Sequence, residues 1–546
     1  MENQPLAAAK QRPPRRKDGN APATGKPGPA GMAAQGQGGG RTPAVPGAMT
    51  PLDMVAAALV LVFAMAMVVR PLPNLDLYWL LAVGRRIVET HAYIYKDPFT
   101  FTVSGMPWSP LAYLSGIVFY GLMKLGGMTA IGVVRVLLVG TLAWLLFRTL
   151  KRIGVAWALA APLVLIALIN SHSRFTDRGQ IFEYVFIAWL VGFLLTSHGR
   201  GGKWFFIVPV LVQLAWVQLH SSFLLGPVLA AIFFASEWIA PHLRVTRALE
   251  RHDWKRAALL VALMAIVCVV NPNPKAFLVQ PFDPGQRELM TRYTLEWKSP
   301  FDLAMKSANF HPYYEILLGA GVIAVLLRIA SLPLAPVALL AATALLSFQS
   351  HRFRVEYALV AVPMIALLLR DAPLVAMARR VWPSRAMWSA IGIALALSLM
   401  VAERARVLES QDIPELYPKG ALAFIAKEGV AKRPYSTIGF GSYMLWDQYG
   451  ARPTFIDGRN FDPQLYTDFL TAQTRETGWR AINRKYKPDA FILPPPDHAD
   501  KGVQNLHVWL GKAADWPLVF RDERAMVYVA AGSVDPAWLE QHRINN

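Results

Sequence analysis

Between residues 50 and 402 the chain alternates long apolar runs with short polar breaks, and the runs have the length that a bilayer core about 30 Å thick demands of a helix. The first run covers roughly 50–70. Further spans are predicted near 128–147, 155–170, 181–197, 204–219, 222–240, 256–271, 314–330, 333–348, 356–370 and 387–402. This pattern predicts a polytopic α-helical membrane protein with about eleven transmembrane helices, since each 15–20-residue apolar run supplies one crossing. Residues 110–125 (PLAYLSGIVFYGLMKL) are shorter, contain Gly116 and Gly121, and end at Lys124 and a Gly126-Gly127 pair. They read as a helix lying at the interface, with a short span as the alternative.

Charge decides between those two topologies. With 110–125 at the interface, alternation delivers to the cytoplasm Arg148, Lys151 and Arg152, then Arg200 and Lys203. It also puts inside Arg244, Arg247, Arg251, Lys255 and Arg256, followed by Arg370, Arg379, Arg380 and Arg385. With 110–125 spanning, every one of these clusters is exported, against the positive-inside bias. The expected topology therefore has the N-terminus inside. The loops 71–127, 171–180, 272–313 and 349–355, and everything after 403, face outward.

Composition changes the picture at the two ends. Residues 1–48 are rich in Gly, Pro, Ala and Gln, with Lys10, Arg12, Arg15, Arg16 and Lys17 near the start. Such a segment buries too little apolar surface to fold and is expected to be a disordered basic cytoplasmic tail, not a signal peptide, because the apolar run begins too late. Residues 49–405 form the transmembrane module, and 410–546 change character. There, strand-like runs (454–457, 489–495, 518–530) alternate with helix-like ones (463–486, 503–513), predicting a small α/β domain that is soluble and extracytoplasmic. The net charge of +19 sits largely in the tail and the short loops, where membrane lipids are a sufficient partner. No basic patch is interleaved with stacking aromatics on a soluble module, so no nucleic-acid partner is expected. The single Cys268 excludes an intramolecular disulfide and a thiol metal site.

The outward loops hold the candidate chemistry. Asp76 follows the first span in Asn74-Leu75-Asp76-Leu77-Tyr78-Trp79. Beside Tyr and Trp at a bilayer surface, it reads as a general base, a metal ligand or a solvated loop acid. Asp97 shares that loop, in a Lys96-Asp97-Pro98 context that also suits a turn. The segment Ser171-His172-Ser173-Arg174-Phe175-Thr176-Asp177-Arg178 carries two Arg on the side that should lack them. A guanidinium there needs a partner. Phosphate is a natural one, and internal pairing of Asp177 with Arg174 or Arg178 is the alternative. The exception repeats at His351-Arg352-Phe353-Arg354. His220 ends a span and reads more readily as a satisfied interfacial residue than as a catalyst.

These features resemble the polytopic GT-C glycosyltransferases, among them the protein O-mannosyltransferases, the aminoarabinose transferases of lipid A and the oligosaccharyltransferases. The resemblance rests on Asp76 after the first span, the stretches Asp76–Arg85 and Asp97–Thr102, the Arg/Asp-bearing second outer loop, and Gly441–Trp446 with Phe455-Ile456-Asp457-Gly458-Arg459. It implies a GT-C-like membrane module in a bacterial inner (cytoplasmic) membrane with a periplasmic C-terminal domain. It also implies transfer of a sugar from a polyprenyl-phosphate-linked donor to an acceptor glycan, lipid or protein. On this resemblance Asp76 is the loop-one catalytic acid, with Asp97 as a second candidate. It also implies that Arg174, Arg178 and Arg352 hold the lipid phosphate; from the loop pattern itself, His351 and Arg354 are further phosphate candidates, and Asp177 and His220 possible site residues. No metal ligands are assigned. The region around Asp177-Arg178-Gly179 does not match the oligosaccharyltransferase metal pattern, which leaves a divalent cation (Mg or Mn) open. Two other classes fit the chain less closely: a transporter of a lipid-linked substrate, and a non-enzymatic scaffold whose C-terminal domain binds a partner.

Overall fold

The computed structural model describes residues 51–69, 74–197, 202–250, 252–302, 312–370, 372, 377, 392–401, 417–459 and 462–544. The tail expected over 1–48, segment 403–416, the ends of the 387–402 span, and Arg200, Arg251, Arg379, Arg380 and Arg385 lie outside them.

The apolar runs form helices: Pro51–Ala66, Tyr113–Arg152, Trp157–Ser171, Gln180–Thr196, Trp204–Leu219, Leu225–Ile239, Trp254–Val267, Pro312–Leu326, Leu334–Gln349, Arg354–Arg370 and Gly392–Val401. Among the described residues Tyr113–Arg152 and Leu225–His242 are long and apolar enough to cross a membrane by themselves. The other apolar helices are shorter, such as the 17 residues of Gln180–Thr196 and the 16 of Trp204–Leu219. The count of about eleven crossings rests on these shorter helices, read against the ~20 residues an untilted span needs. Around the bundle, Val62, Val133, Leu137, Leu211, Ile266 and Leu345 stand half or more exposed. An apolar perimeter of this kind suits lipid and not water.

The helices run between two ends. At one, Arg370 donates to the Ile153 carbonyl and Arg256 to that of Gly202. At the other, Asn170 Nδ2 donates to the Arg354 carbonyl and Arg354 reaches Ser173, so the breaks at 171–180 and 349–355 meet there.

The ambiguous 110–125 run is the first part of the helix Tyr113–Arg152, which leaves helical geometry at Gly126 and Gly127. Gly127 has φ +63°, a conformation that a side chain at this position would strain, so the pair breaks one helix into two directions. Before the break, Phe119 and Tyr120 pack with Leu77, Tyr78, Leu80 and Leu81 of the helix Asp76–Thr90. The same cluster takes in Leu422, Phe440, Tyr443 and Met444 from the C-terminal part of the chain.

That C-terminal part carries a four-stranded mixed sheet in the order Pro434–Ser436, Ala490–Leu493, Met526–Val529, Leu518–Arg521. The first pair is parallel and the other two antiparallel. Helices Pro463–Thr474, Glu476–Tyr486 and Lys501–Lys512 bury Phe469, Trp479, Leu506 and Leu510 with Phe491 and Leu518 of the sheet. The 454–457 run does not join this sheet. Its Thr454 bridges Thr100 of the first loop instead, with Phe101 N donating to the Thr454 carbonyl at 3.1 Å and Thr454 N to that of Phe99 at 3.0 Å. Its β-forming composition is used, but on a partner more than 350 residues away, as Thr102 Oγ1 confirms by donating to the Phe455 carbonyl.

Candidate active site

Asp76 lies in the first turn of the helix Asp76–Thr90, where a carboxylate is favoured by the helix dipole. Asn74 prepares its position: Asn74 Oδ1 accepts from Asp76 N at 3.1 Å and from Arg178 Nε at 2.9 Å. Arg178 Nη2 then lies 2.5 Å from Asp76 Oδ2. Asn74 Nδ2 closes the circuit by donating to the Asp177 carbonyl at 3.1 Å. One asparagine thus fixes the acid, its counter-ion and the loop that carries that counter-ion.

The second outer loop is anchored from below. Asp177 pairs at 2.5 Å with Arg135 Nη1, a guanidinium on the helix Tyr113–Arg152 that also donates to the Val68 carbonyl. Both side chains are buried. Neither Arg174 nor Arg178 is the partner of Asp177, as internal loop pairing would require. Asp177 therefore leaves the set of substrate-facing candidates, because its charge is consumed inside the protein.

Arg174 pairs through Nη1 with Glu296, which the 272–313 loop brings in. Its Nε and Nη2, both buried, make no hydrogen bond of ordinary geometry. Glu296 was not distinguishable in sequence, being one of four acids interspersed with five Lys and Arg in the 272–313 loop. The same loop brings Trp297, over which the Arg352 guanidinium stacks at 4.4 Å. Ser350 Oγ donates to the Glu296 carbonyl and His351 N to that of Lys298. The structure therefore gathers Asp76, Arg174, Arg178, Glu296 and Arg352 from four separate breaks in the apolar pattern.

Two candidates have other employment. Arg354 is buried and donates to His351 Nε2 at 2.8 Å and to Ser173 Oγ at 2.6 Å, so it fastens one loop to the other instead of facing a ligand with its fork. Asp97 is fully buried at its side chain and accepts from Arg459 Nη1 at 2.6 Å, Thr100 N at 3.0 Å and the Thr100 hydroxyl. With Phe99 N also donating at 3.3 Å, four donors fill this carboxylate, and the catalytic expectation for Asp97 is corrected to a structural role. Arg459 in turn grips Asp457 through Nε at 2.7 Å and Nη2 at 2.5 Å, between the rings of Phe99 and Trp108. His220 is engaged too, with Nδ1 2.8 Å from Glu183 Oε2 and sharing a hydrogen bond with Ser222 Oγ.

The electrostatics separate the two acids at the site. Burial pushes the Asp76 carboxyl above its ordinary value, while Arg178 pulls against the rise. For Glu296 burial also acts upward, but Arg174, then Arg352 and Arg178, overcome it and hold the carboxyl at about 2. Glu296 therefore stays a fixed anion, and Asp76 is the group whose proton state changes nearer neutrality. Chemistry that needs Asp76 ionised is expected to fall away with acid at a midpoint above about pH 4, the ordinary aspartate value. A pH–rate profile flat down to that value would contradict this assignment.

Among the described residues no three His, Cys, Asp or Glu side chains come together as a metal site. The acids nearest the site, Asp76, Asp177 and Glu296, each face a guanidinium. These three acids are thus committed to guanidinium partners, and no step is routed through a cation.

No protein-family model matches the chain, and neither does any curated protein. Solved structures do. The archaeal oligosaccharyltransferase AglB from Archaeoglobus fulgidus, in complex with an inhibitory peptide and a dolichol-phosphate, superposes with a TM-score of 0.57 at 11% identity, over 89% of this chain and 75% of that one. The Archaeoglobus fulgidus oligosaccharyltransferase tethered to an acceptor peptide gives a TM-score of 0.51 at 13% identity, over 81% and 69%. The chain shares the fold of these oligosaccharyltransferases. ArnT from Cupriavidus metallidurans bound to undecaprenyl phosphate is also similar, with a TM-score of 0.46 at 13% identity over 88% of this chain and 98% of that one. Asp76, Arg174, Arg178 and Arg352 lie together at the end of the helical bundle where the outer-loop breaks meet.

Proposed function

We propose that the chain transfers a sugar from a polyprenyl-phosphate-linked donor to an acceptor at the outward face of the cytoplasmic membrane, with the C-terminal α/β module on that same side. The observation that carries the reading is the buried Arg174 guanidinium, whose Nε and Nη2 make no hydrogen bond of ordinary geometry although the Tyr184 hydroxyl is near, set beside the Asp76–Arg178 pair and Arg352. Buried donors without ordinary acceptors are uncommon in native proteins, and an anion is a partner that would complete them. Three guanidinium groups suit a phosphate, and a carboxylate beside them suits an acceptor O–H or N–H. AglB, whose fold this chain shares, has been solved with a dolichol-phosphate.

In this reading the acceptor gives its proton to Asp76 while its freed lone pair bonds to the anomeric carbon. The bond from that carbon to the phosphate oxygen breaks, and the polyprenyl phosphate leaves with the electron pair. Arg174 and Arg352 stabilise the charge that grows on the leaving oxygen, which is the main electrostatic demand of the step. The test is mass spectrometry of lipids co-purifying with the full-length protein and with Arg174→Gln. Polyprenyl phosphate or its sugar conjugate on the wild type, lost in the variant, supports the reading. Bulk phospholipid alone on both removes the donor site from it.

A further inference from the structure

The turn Asp457-Gly458-Arg459 belongs to the C-terminal module, yet it lies against the first loop's acid. Gly458 N is held by Ser442 Oγ at 2.8 Å, and Ser442 Oγ donates to the Ile438 carbonyl at 3.0 Å. Next to it, the Arg459 side chain is locked by both oxygens of Asp457 and by Asp97. The turn is therefore fixed on one side by its own module and on the other by the first loop.

Gly458 has no need of its glycine for backbone conformation, since its φ lies outside the left-handed region. Its need is space. A Cβ placed there would stand 2.5 Å from Asp76 Oδ1, 3.0 Å from Ser442 Oγ and 3.1 Å from Trp79 Cδ1. Oδ1 is the oxygen that Arg178 leaves unclaimed, because the ion pair uses Oδ2. The bare Cα of Gly458 thus forms the floor beneath the Asp76 oxygen outside the ion pair, in a carboxylate that the Trp79 indole also approaches.

We propose that Gly458, clamped by Arg459, is a positioning residue that sets where Asp76 Oδ1 lies relative to the acceptor. The inference rests on the transferase reading above. It gives the C-terminal module a direct part in the transfer step, through 457–459, beyond any role in recruiting partners. Misplacing a catalytic group by about 1 Å costs on the order of 100-fold in rate, so a single methyl at this point is enough to matter.

The experiment compares full-length wild type, Asp76→Asn, Gly458→Ala and Arg459→Lys in native membranes. The ratio of sugar-linked to free polyprenyl phosphate is measured in each, along with the melting temperature of each purified protein. Gly458→Ala is expected to accumulate the conjugate as Asp76→Asn does, with turnover down about 100-fold, while its total polyprenyl phosphate and melting temperature stay near wild type. A purely structural glycine would move the melting temperature and not the ratio. If Gly458→Ala fails to fold, Arg459→Lys carries the test: it keeps the charge but loses the fork that fixes the turn, and a raised ratio supports the proposal. Accumulation in Asp76→Asn with a wild-type ratio in the folded position variants overturns this proposal and leaves the transferase reading intact. No accumulation even in Asp76→Asn overturns both.

Discussion

Asp76→Asn leaves the protein folded and its lipid bound, but slows sugar transfer by a factor on the order of 10² to 10⁴, the range lost with a general base. The amide keeps the size of the side chain and can still accept from Arg178, so the circuit through Asn74 survives. What disappears is the carboxylate that receives the acceptor's proton. The measurement is single-turnover transfer from lipid-bound protein, with the sugar conjugate followed over time. Loss of the lipid together with the activity would instead make Asp76 part of the binding site. Unchanged turnover would remove it from the chemistry altogether.

Arg459→Ala is expected to give the largest loss of stability of any single substitution outside the bundle. Arg459, Asp97 and Asp457 are each at most 1% exposed at the side chain, so removing the cation strands two carboxylates without solvent. Removing one partner from a buried ion pair costs about 3–5 kcal/mol, and here the same nitrogen-rich group serves both acids. The first loop and the 454–459 segment should loosen, because what then joins them is the short Thr100–Thr454 bridge and the Thr102 hydroxyl bond to Phe455. Thermal unfolding combined with limited proteolysis around residues 95–108 reports this directly. A melting curve close to wild type would mean that the backbone pairing, and not the ion triad, holds the two segments.

The sequence made some of this site legible and hid the rest for a physical reason. Arg174, Arg178 and Arg352 stood out because they break a charge rule that the neighbouring loops obey. Asp76 stood out because it follows directly on the first apolar run. Both signals are local, and composition preserves them. Partner identity is not local. Asp177 finds Arg135, 42 positions away, and Asp97 finds Arg459, 362 positions away, where spacing along the chain carries no information. Glu296 was silent because one of four acids mixed with five bases in a long loop has no distinguishing pattern. The 454–457 run shows the same limit in secondary structure, since its residue types specify extended backbone but not which extended backbone they meet. The break after residue 125 was readable, because adjacent glycines interrupt any helical pattern.

Arg135 carries a consequence for how the protein is made. One of its partners, the Val68 carbonyl, is synthesised before it, but its counter-ion Asp177 emerges 42 residues later. In the interval, a guanidinium sits in an apolar segment where its insertion costs up to about 3 kcal/mol. The nascent helix is thus inserted in debt until the second outer loop arrives, and quality-control proteases have a window in which to act. We predict that a chain truncated after Ile153 is cleared from the membrane faster than one truncated after Thr196. Arg135→Leu should lengthen the life of the shorter chain and shorten that of the longer, which it leaves with an orphaned Asp177. Equal half-lives for the two truncations would show that something other than Asp177 shelters the charge during biogenesis.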